Sequence, residues 1–357
     1  MLTRARLAAL AFALVATAAA ASPPSARLAT ALDRYERADW RPLPDGPLVR
    51  PGETDAVQIP ALRARLAAEG ALGDAARTGD ILDPALAAAL ARAQDRLGLA
   101  SDGILGPNTR AALDVPAATR AAQVRRSLAA LDTLALPSDG RWVLVNVPEY
   151  RVRAFEGGRE TMRMKAVVGA DRDGWRTPLF SDAIEYLELR PVWNVPTNIA
   201  RDELAPKGAA ALAAEGFELV RRFSPDAEVI ALNDSTLQKM ADGHLLIRQA
   251  AGPLNPLGRL KIMFPNVHNV YLHDTSAPAY FARDNRALSH GCVRVERPAA
   301  LGAWVAGMPE AELAAAMDGT ESRRIALPER VPVVLAALPA WAGDDGAVWF
   351  AGPGYSS

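Results

Sequence analysis

The hydrophobic pattern of this chain changes its period near residue 140, and that change constrains the fold more than any other feature. Before it, apolar residues recur at helical spacing. After it, the segments RVRAF (151–155) and TMRMKAVVG (161–169) alternate polar and apolar residues as strands do. The residues EGGR between these segments predict a hairpin turn. A helical part followed by a strand-rich part predicts an α+β protein with more than one domain.

Three short helices are predicted in residues 58–115, where they form a small helical module. Asp83-Pro84 supplies an N-cap and a first-turn proline for the second helix, and Gly106-Pro107 begins the third. A connecting helix is predicted within 116–140. The strand-rich domain is therefore expected to occupy 141–357.

The strand-rich domain is expected to contain an insertion and two late strands. Residues 200–242 lack strand-like alternation, so they are predicted to form a helical and loop-like insertion over the β core. The segments VPVVLAAL (331–338) and AVWF (347–350) are predicted to close the sheet.

The N-terminus predicts export. Residues 1–21 contain two arginines, a short apolar run and an A-x-A end, which is the pattern of a secretory signal peptide. A membrane anchor is the alternative, but the run is shorter than the roughly 20 apolar residues that span a bilayer. We therefore predict cleavage before Ser22 and a periplasmic protein without a membrane span. Residues 22–57, rich in proline and alanine, are expected to form a loosely packed arm.

The composition argues against a nucleic-acid partner, and it includes a single cysteine. Loss of Arg4 and Arg6 with the signal peptide takes the formal net charge from −1 to −3, which argues against a nucleic-acid partner. Cys292 is the only cysteine, so an exported chain cannot use it for an internal disulfide. It is therefore either a buried small hydrophobe or a reactive thiol.

The histidines near Cys292 favour a reactive thiol. An imidazole can lower the pKa of a thiol or remove its proton, and both His290 and His273 are candidates for this base. On an extended strand His290 and Cys292 would point to one face, whereas His273 could reach the thiol only through the fold. Backbone amides around Ser289 and Gly291 could form an oxyanion hole.

A zinc site is the alternative use of the same residue types. His268, His273, His290 and Cys292 supply nitrogen and sulfur ligands. Their spacings match none of the usual zinc signatures, so neither a metal nor a cofactor is predicted. His244 and His268 are interpreted as structural, although His268 could also line the cleft.

Aromatic and amide side chains are candidates for lining the cleft. Trp193 could stack on a substrate, although an aromatic residue beside two prolines is as often part of a core. Asn269 and Tyr271 alternate with His273, so on a regular strand they would share its face.

Basic side chains are candidates for binding substrate carboxylates. Arg248, Lys261 and Arg294 lie in the strand-rich domain and could each hold a carboxylate. The alternative for each of them is a surface charge or a structural ion pair.

The helical module resembles the peptidoglycan-binding domain of bacterial cell-wall enzymes. The resemblance rests on SDGILGPNTRAAL (101–113), with its DG-x-x-G-x-x-T pattern, and on LRARLAAEG (62–70). Ala93 stands where that family usually has an aromatic residue. The alternative is a three-helix bundle without a ligand.

The segment around the thiol resembles the signature of the L,D-transpeptidases with a YkuD-type catalytic domain. That signature is a histidine, a spacer, and then S/T-H-G-C; here fifteen residues separate His273 from Ser289, which begins SHGC. Many members have asparagine two residues after the cysteine, where this chain has Arg294. Arginine at that position, together with RQAAGPLNPLG (248–258) and PVWNVP (191–196), resembles the larger YcbB-like branch.

The resemblance implies a role for each matching residue. It implies that Cys292 is the nucleophile and His273 the general base, a choice that the residues alone leave open. It also implies that His290, Gly291 and Arg294 shape the site. The fold it implies is a β-rich catalytic domain with a peptidoglycan-binding module and an insertion that acts as a lid.

The reaction that the resemblance implies is acyl transfer between peptidoglycan stem peptides. The thiolate would attack a donor tetrapeptide, release D-Ala, and pass the acyl group from a thioester to an acceptor amine, giving a 3→3 cross-link between diaminopimelates. Water or a free D-amino acid as acceptor would give endopeptidase, carboxypeptidase or exchange activity instead. A non-catalytic wall-binding protein is the second hypothesis. Acylation of Cys292 by carbapenems is expected from the same chemistry.

Overall fold

The structure, a computed structural model, describes residues 22–38, 40–73, 78–319 and 322–352. The predicted signal peptide, residues 1–21, lies outside the described residues. Within those ranges, no helix is both long enough and apolar enough to cross a lipid bilayer. A helical N-terminal part is followed by a β-rich domain, so the predicted α+β class is confirmed.

The helical part confirms the helix starts predicted from local signals. Its helices are α1 (Pro24–Arg37), α2 (Gln58–Ala68), α3 (Pro84–Arg96), α4 (Pro107–Leu113) and α5 (Ala117–Thr133). The Asp83 side chain caps α3 by accepting a hydrogen bond from the Leu86 N–H at 2.9 Å. The predicted connecting helix is α5.

The prediction of a loosely packed arm over 22–57 is wrong for the segment that forms α1. Leu28, Ala31 and Tyr35 are three and four residues apart on this helix and are all buried, and α1 packs against α5. Leu43 and Val49 in the following extended segment are buried in the same core. Alanine is the strongest helix former, so its abundance here favours a helix.

The DG-x-x-G-x-x-T segment of the helical module forms a turn that one buried side chain holds. Gln94 on α3 accepts a hydrogen bond from the Gly103 N–H at 2.8 Å and donates to Thr109 Oγ1 at 3.0 Å. It also donates to Asp102 at 2.8 Å. The pattern in the sequence is therefore explained by the folding of the turn itself.

The β-rich domain contains strands that form one large sheet and two small ones. The strands are β1 (Arg141–Asn146), β2 (Arg151–Glu156), β3 (Arg159–Gly169), β4 (Phe180–Leu189), β5 (Trp193–Asn194), β6 (Phe217–Val220), β7 (Leu246–Gln249), β8 (Leu260–Met263), β9 (Leu272–His273), β10 (Ala287–Ser289), β11 (Val293–Val295), β12 (Arg323–Ala336), β13 (Ala340–Ala342) and β14 (Val348–Phe350). The predicted hairpin is confirmed as the antiparallel pair of β2 and β3.

Short helices connect these strands. They are α6 (Thr197–Ile199), α7 (Ala209–Ala214), α8 (Asp234–Ala241), α9 (Pro298–Ala306) and α10 (Glu310–Met317), with 3₁₀ turns at Val147–Glu149, Ala205–Lys207 and Pro278–Ala282 and a π-helix at Ala200–Leu204. Helix α9 packs against β4, β8 and β12. Its residues Leu301, Ala303 and Val305 belong to the main core.

The large sheet closes on itself. Its pairings run in the order β3, β11, β9, β8, β4, β12, β1 and β2, and β2 pairs back to β3, while β10 adds to the end of β3. One face of this sheet carries the main apolar core. The opposite face of β8, β9 and β11 is therefore available for polar residues.

The insertion differs from the helical and loop-like segment predicted at 200–242. It also contains strand β6, which pairs with β7, and β7 pairs with β5, so a three-stranded sheet holds the insertion together. A separate apolar cluster that includes Leu212, Leu219 and Ile247 lies between this sheet and the insertion helices. A strand of four residues is too short for alternation to identify it in the sequence.

The prediction that AVWF (347–350) closes the main sheet is wrong. β14 pairs with β13 in a separate two-stranded hairpin. Ala340, Ala342, Val348 and Phe350 of this hairpin are buried in the core of the helical part. The C-terminal hairpin therefore joins the two parts of the protein. VPVVLAAL does lie in the main sheet, as part of β12.

A buried ion-pair network lies beneath this hairpin. Arg153 is fully buried and forms ion pairs with Glu149, which is 1% exposed, and with Glu160. Arg151 Nε is 3.5 Å from the same Glu149 carboxylate, and Asn146 donates to it at 2.9 Å. The buried Glu149 carboxylate is thus contacted by two arginines and one amide donor.

Replacing Glu149 with glutamine should destabilise the fold strongly. The change leaves the buried Arg153 charge with one carboxylate partner, Glu160, instead of two. Breaking a buried ion pair in this way lowers the free energy of unfolding by about 3 kcal/mol or more. Urea unfolding should report the loss. Glu36→Gln is the matched control, because Glu36 pairs with Arg125 at an exposed position. Equal stability losses in both variants would contradict this role of Glu149.

Candidate active site

Strands β8, β9 and β11 bring the candidate residues to one face of the sheet. β9 and β11 are parallel, with Leu272 opposite Val293 and His273 opposite Arg294. Leu272 and Val293 lie in the apolar core. Alternation therefore puts His273 and Arg294 on the opposite face. Lys261 of β8 is opposite His273 on its other side, so two cations flank the imidazole.

Cys292 lies immediately before β11 and is partly buried. In the resting arrangement its thiol donates to the Asn269 carbonyl, with an Sγ–O distance of 3.7 Å. Burial raises the pKa of the Cys292 thiol, while hydrogen bonds from the backbone and side chain of Tyr271 and the charges of Lys261 and Arg294 act to lower it. The resting thiol is therefore protonated at neutral pH, in surroundings that partly offset the cost of ionising it.

The turn before the thiol is held by two hydroxyl groups. Ser289 Oγ accepts from the Gly291 N–H at 3.1 Å and donates to the Cys292 carbonyl at 2.5 Å. Thr177 Oγ1 donates to the Gly291 carbonyl at 2.9 Å. Gly291 has a φ of +116°, a conformation that glycine alone adopts readily.

These contacts determine which backbone N–H groups near Cys292 can donate a hydrogen bond to a substrate oxygen. The Gly291 N–H is already bound to Ser289, so it is not a free donor for an acyl oxygen. The described hydrogen bonds give the Cys292 N–H no acceptor. The Cys292 amide, in the turn predicted to form an oxyanion hole, therefore remains available as a donor.

His273 is buried, with 3% of its surface exposed, and its tautomer is fixed. Its Nδ1 lies 2.5 Å from the Asp274 carbonyl oxygen. Because a carbonyl can only accept, Nδ1 carries the proton and Nε2 has a free lone pair. Burial, assisted by the Arg294 and Lys261 charges, lowers the pKa of His273 to about 3, although the hydrogen bond to Asp274 favours the charged form. The imidazole is therefore neutral and able to accept a proton.

The depressed pKa of His273 predicts a loss of stability in acid. As the pH falls below about 6.5, His273 binds a proton in the unfolded chain. In the folded protein the same imidazole stays neutral until about pH 3. Stability is thus lost across this window, by about 3 kcal/mol at pH 4 for this residue. The difference in unfolding free energy between pH 7 and pH 4 should be smaller in His273→Gln than in the wild type. An unchanged difference would contradict the lowered pKa.

His290 occupies a different place from the one expected of an extended strand. The bend at Gly291 interrupts the alternation between His290 and Cys292. The His290 ring stacks on Trp175, with 3.5 Å between ring centroids, and its Nε2 lies 2.5 Å from Glu203 Oε1 in the insertion. His290 therefore links the loop after β3 to the insertion.

Tyr271 and Asn269 reach the thiol in different ways. β9 begins only at Leu272, and Asn269 has a φ of +52°, so the regular strand expected to put Asn269 and His273 on one face does not extend that far. It is the Asn269 carbonyl that contacts the thiol. Tyr271 lies beside His273, with 5.6 Å between ring centroids. Burial raises the pKa of Tyr271, so its hydroxyl stays protonated and can donate to the sulfur.

A cavity of about 720 Å³ separates the catalytic face of the sheet from the insertion. Cys292, His273, Ser289, His290, Arg294, Asn269 and Tyr271 line one side of it. Trp193 lines the insertion side and also packs against Phe217, with 6.1 Å between ring centroids, so it serves both the wall and the core of the insertion. The cavity is large enough for a peptide segment.

The three basic candidates have separate environments. Arg248 is not among the cavity-lining residues, because it pairs with Glu218 at 3.1 Å and donates to the Ser224 carbonyl. The structural ion pair, one of the alternatives for Arg248, is what the structure shows. Lys261 pairs with Glu188 at 3.3 Å and lies over the Tyr271 ring.

Arg294 has room for a ligand. It lines the cavity beside Tyr280, over whose ring its guanidinium lies at 5.6 Å. Its Nε is buried and has no hydrogen-bond partner among the described residues. Burial lowers the pKa of Arg294, but the group remains a cation at neutral pH.

Several residues at the site have no signal in the sequence. Trp175, Thr177, Glu203 and Tyr280 all contact the signature residues or line the cavity. Each lies in a loop or a short helix, at no fixed spacing from the cysteine. Only contacts made by the fold identify them.

The remaining histidines lie apart from this arrangement. His268 lines the cavity and packs near Phe180, with 4.9 Å between ring centroids. His244 is exposed and does not line the cavity. Among the described residues, no three His, Cys, Asp or Glu side chains are grouped as a metal ion would need.

Comparison with protein families identifies both parts of the chain. Residues 140–333, more than half of the chain, match the YkuD family model, described as the L,D-transpeptidase catalytic domain. Residues 56–113 match the family model PG_binding_1, described as "Putative peptidoglycan binding domain". The predicted resemblance to these two domain families is therefore confirmed.

Individual relatives are distant. A Haemophilus influenzae protein named "Putative L,D-transpeptidase" is 26% identical over 212 residues, 58% of this chain and 42% of the relative. The chain thus matches less than half of the length of this curated relative.

Solved L,D-transpeptidase structures are also similar, at low identity. One from Xylanimonas cellulosilytica is 19% identical, covering 82% of this chain and 99% of the other, with a TM-score of 0.28. One from Stackebrandtia nassauensis is 15% identical, covering 83% and 97%, with a TM-score of 0.34.

Proposed function

We propose, since this chain belongs to the YkuD family of L,D-transpeptidase catalytic domains, that it cross-links peptidoglycan stem peptides through a thioester on Cys292. One observation carries the proposal. A partly buried thiol shares a cavity face with a neutral imidazole whose Nε2 lone pair is free. This pair of groups is what acyl transfer through a thioester requires.

The first stage is acylation. Cys292 Sγ attacks the carbonyl of the third residue of a donor tetrapeptide, and the thiol proton passes to His273 Nε2. Burial, together with the flanking cations, makes an imidazolium costly, so proton transfer must accompany formation of the S–C bond rather than precede it. Because the pKa of this imidazolium is low, it is a strong acid. It protonates the leaving D-Ala amine as the C–N bond breaks.

The backbone and one cation would support this stage. The Cys292 N–H, which has no acceptor among the described residues, would donate to the developing oxyanion. Arg294, which lines the cavity, is proposed to bind a carboxylate of the donor peptide.

The second stage is transfer. A side-chain amine of a neighbouring diaminopimelate attacks the thioester carbonyl, the C–S bond breaks, and the amine proton returns through His273 to the thiolate. The product is a 3→3 cross-link, formed without a metal or a cofactor. The insertion covers the cavity, and excluding water there would favour transfer over hydrolysis.

The remaining parts of the proposal concern location and lineage. We assign the chain to the periplasm, on the basis of its predicted signal peptide, and its helical module to contact with peptidoglycan. The domain limits proposed are 58–115 for the module and 141–357 for the catalytic domain. Arg294 and the insertion between the strands support membership of the YcbB-like branch.

Product analysis tests the proposal. The chain from Ser22 onward is incubated with disaccharide tetrapeptides, and the products are identified by mass spectrometry. We expect a dimer that has lost one D-Ala, with fragmentation that locates the new amide between two diaminopimelates.

Other products would contradict parts of the proposal. Tripeptide alone would indicate a hydrolase, and tetrapeptide with an altered fourth residue would indicate D-amino-acid exchange. Unchanged tetrapeptide, retained by the protein, would indicate a non-catalytic wall-binding protein.

A further inference from the structure

We infer that Glu203, on the insertion side of the cavity, binds the ammonium group of the acyl acceptor and so determines that an amine takes the acyl group. The inference rests on the proposed function, because it names the residue that selects the acceptor in its second stage. Nothing in the signature around Cys292 specifies such a residue.

Glu203 places a carboxylate on the insertion side of the cavity, next to the turn that carries the thiol. Glu203 lies in the π-helix Ala200–Leu204, lines the cavity, and is hydrogen-bonded to His290, two residues before Cys292. Its side chain is 41% exposed, and the hydrogen bond to His290 uses one of its two carboxylate oxygens. Irregular helical turns of this kind are frequent at functional sites.

Among the described residues, no lysine or arginine on the insertion wall pairs with Glu203. Lys207 and Glu215, which also line the cavity, pair with each other at 3.0 Å. Arg201 and Asp202 pair with each other at 2.6 Å. Among the described residues, the polar partner of Glu203 is the His290 imidazole. This hydrogen bond fixes the orientation of the carboxylate.

The opposite side of the cavity carries the contrary charge. Arg294 lines this side beside the thiol, where its charge favours a donor carboxylate and repels an ammonium group. Lys261 does not line the cavity, and its charge is paired with Glu188. Glu203 on the facing wall has the reverse effect of Arg294. The cavity therefore has one side suited to an anionic donor and one suited to a cationic acceptor.

The chemistry of transfer is consistent with a binding role for Glu203 rather than a role as base. The ammonium group is held by Glu203 and gives its first proton to water. The neutral amine then forms the N–C bond while the C–S bond breaks, and its second proton goes to His273 and on to the thiolate. Glu203 itself gains and loses no proton in this sequence, so it is a positioning residue.

The test compares Glu203→Gln with Asp202→Asn. Glutamine keeps the size of the side chain and an oxygen that can accept from His290, while it removes the charge. Asp202 is the next residue on the same turn, loses the same charge, and does not line the cavity. The acceptor is a disaccharide tripeptide with a free diaminopimelate amine, and the donor is a disaccharide tetrapeptide.

We expect Glu203→Gln to raise the apparent KM for the amine acceptor by about tenfold or more, the range for a lost hydrogen bond to a charged group. Loss of that contact should shift the product ratio from cross-link towards hydrolysis. A hydroxy-acid acceptor, which has no ammonium group, should show a much smaller change in KM. Asp202→Asn should leave the amine KM near that of the wild type.

Three outcomes would overturn the inference. An equal KM shift in both variants would reveal a general effect of charge. A fall in acylation rate and transfer rate by the same factor would make Glu203 a structural support of His290. An unchanged amine KM would exclude it from acceptor binding. If the wild type forms no thioester, the proposed function fails instead, and that result is distinguishable because it precedes the acceptor step.

Discussion

Replacing Cys292 with alanine should abolish thioester formation and cross-linking while the protein stays folded. Cys292 is the only cysteine, so no second thiol can take its place. We expect a fall of about 10⁴-fold or more, as for removal of the nucleophile from other acyl-transfer enzymes. Intact-protein mass spectrometry after mixing with a tetrapeptide or a carbapenem measures the adduct directly. The wild type should gain one adduct, on Cys292, and the variant none.

The fold of the variant needs an independent measurement. Alanine removes one sulfur from a partly buried position, so the free energy of unfolding should change little. Cys292→Ser is a second variant, which keeps a polar atom in place of the sulfur. Cross-linking at the wild-type rate in the alanine variant would exclude the proposed mechanism. A cross-linking enzyme that forms no carbapenem adduct would contradict the arrangement proposed around the thiol.

Local signals in the sequence predicted the local structure well. The N-cap at Asp83 and the prolines that begin α3 and α4 act through neighbouring backbone groups, so the sequence alone contains their effect. The β2–β3 hairpin is similarly local. These elements were predicted because no distant contact is needed to define them.

Elements that depend on distant contacts were predicted poorly. Helix α1 is stabilised by burial of Leu28 and Tyr35 against α5 and the C-terminal hairpin, and a proline- and alanine-rich composition does not reveal that partner. β14 has an ordinary strand pattern, but its partner is β13 rather than the main sheet. A strand pattern predicts extended backbone and leaves the choice of neighbour to tertiary packing.

The residues of the candidate site also divide into those that the sequence predicts and those that only distant contacts define. The spacing of Cys292 and His273 predicts their association through the resemblance to a family, and the register of β9 with β11 gives the physical basis for it. The tautomer of His273 depends on the Asp274 carbonyl. Every residue has such a backbone carbonyl, so the sequence does not reveal this contact. Glu203 reaches His290 across 87 residues, which no periodicity can predict.

His273→Ala should lower the rate of Cys292 acylation by about 10²- to 10⁴-fold at neutral pH, the usual contribution of a general base. Burial raises the pKa of the thiol, so at neutral pH the variant has very little thiolate and no group to remove the proton. Raising the pH forms thiolate without the base, so the rate should recover partly. Because burial raises the pKa of the thiol above its usual range, recovery should begin only near the alkaline end of a series from pH 6 to 10.

The pH series distinguishes His273 from His290 by the form of the response. The His290 ring contacts Trp175 and Glu203, so His290→Ala should disturb the turn that carries the thiol, and alkali should restore little of its activity. His244→Ala is the matched control, since His244 is exposed and does not line the cavity, and it should follow the wild-type profile. Acylation is measured as the rate of adduct formation in each variant. If alkali rescues His290→Ala and not His273→Ala, then His290 is the general base and His273 is not.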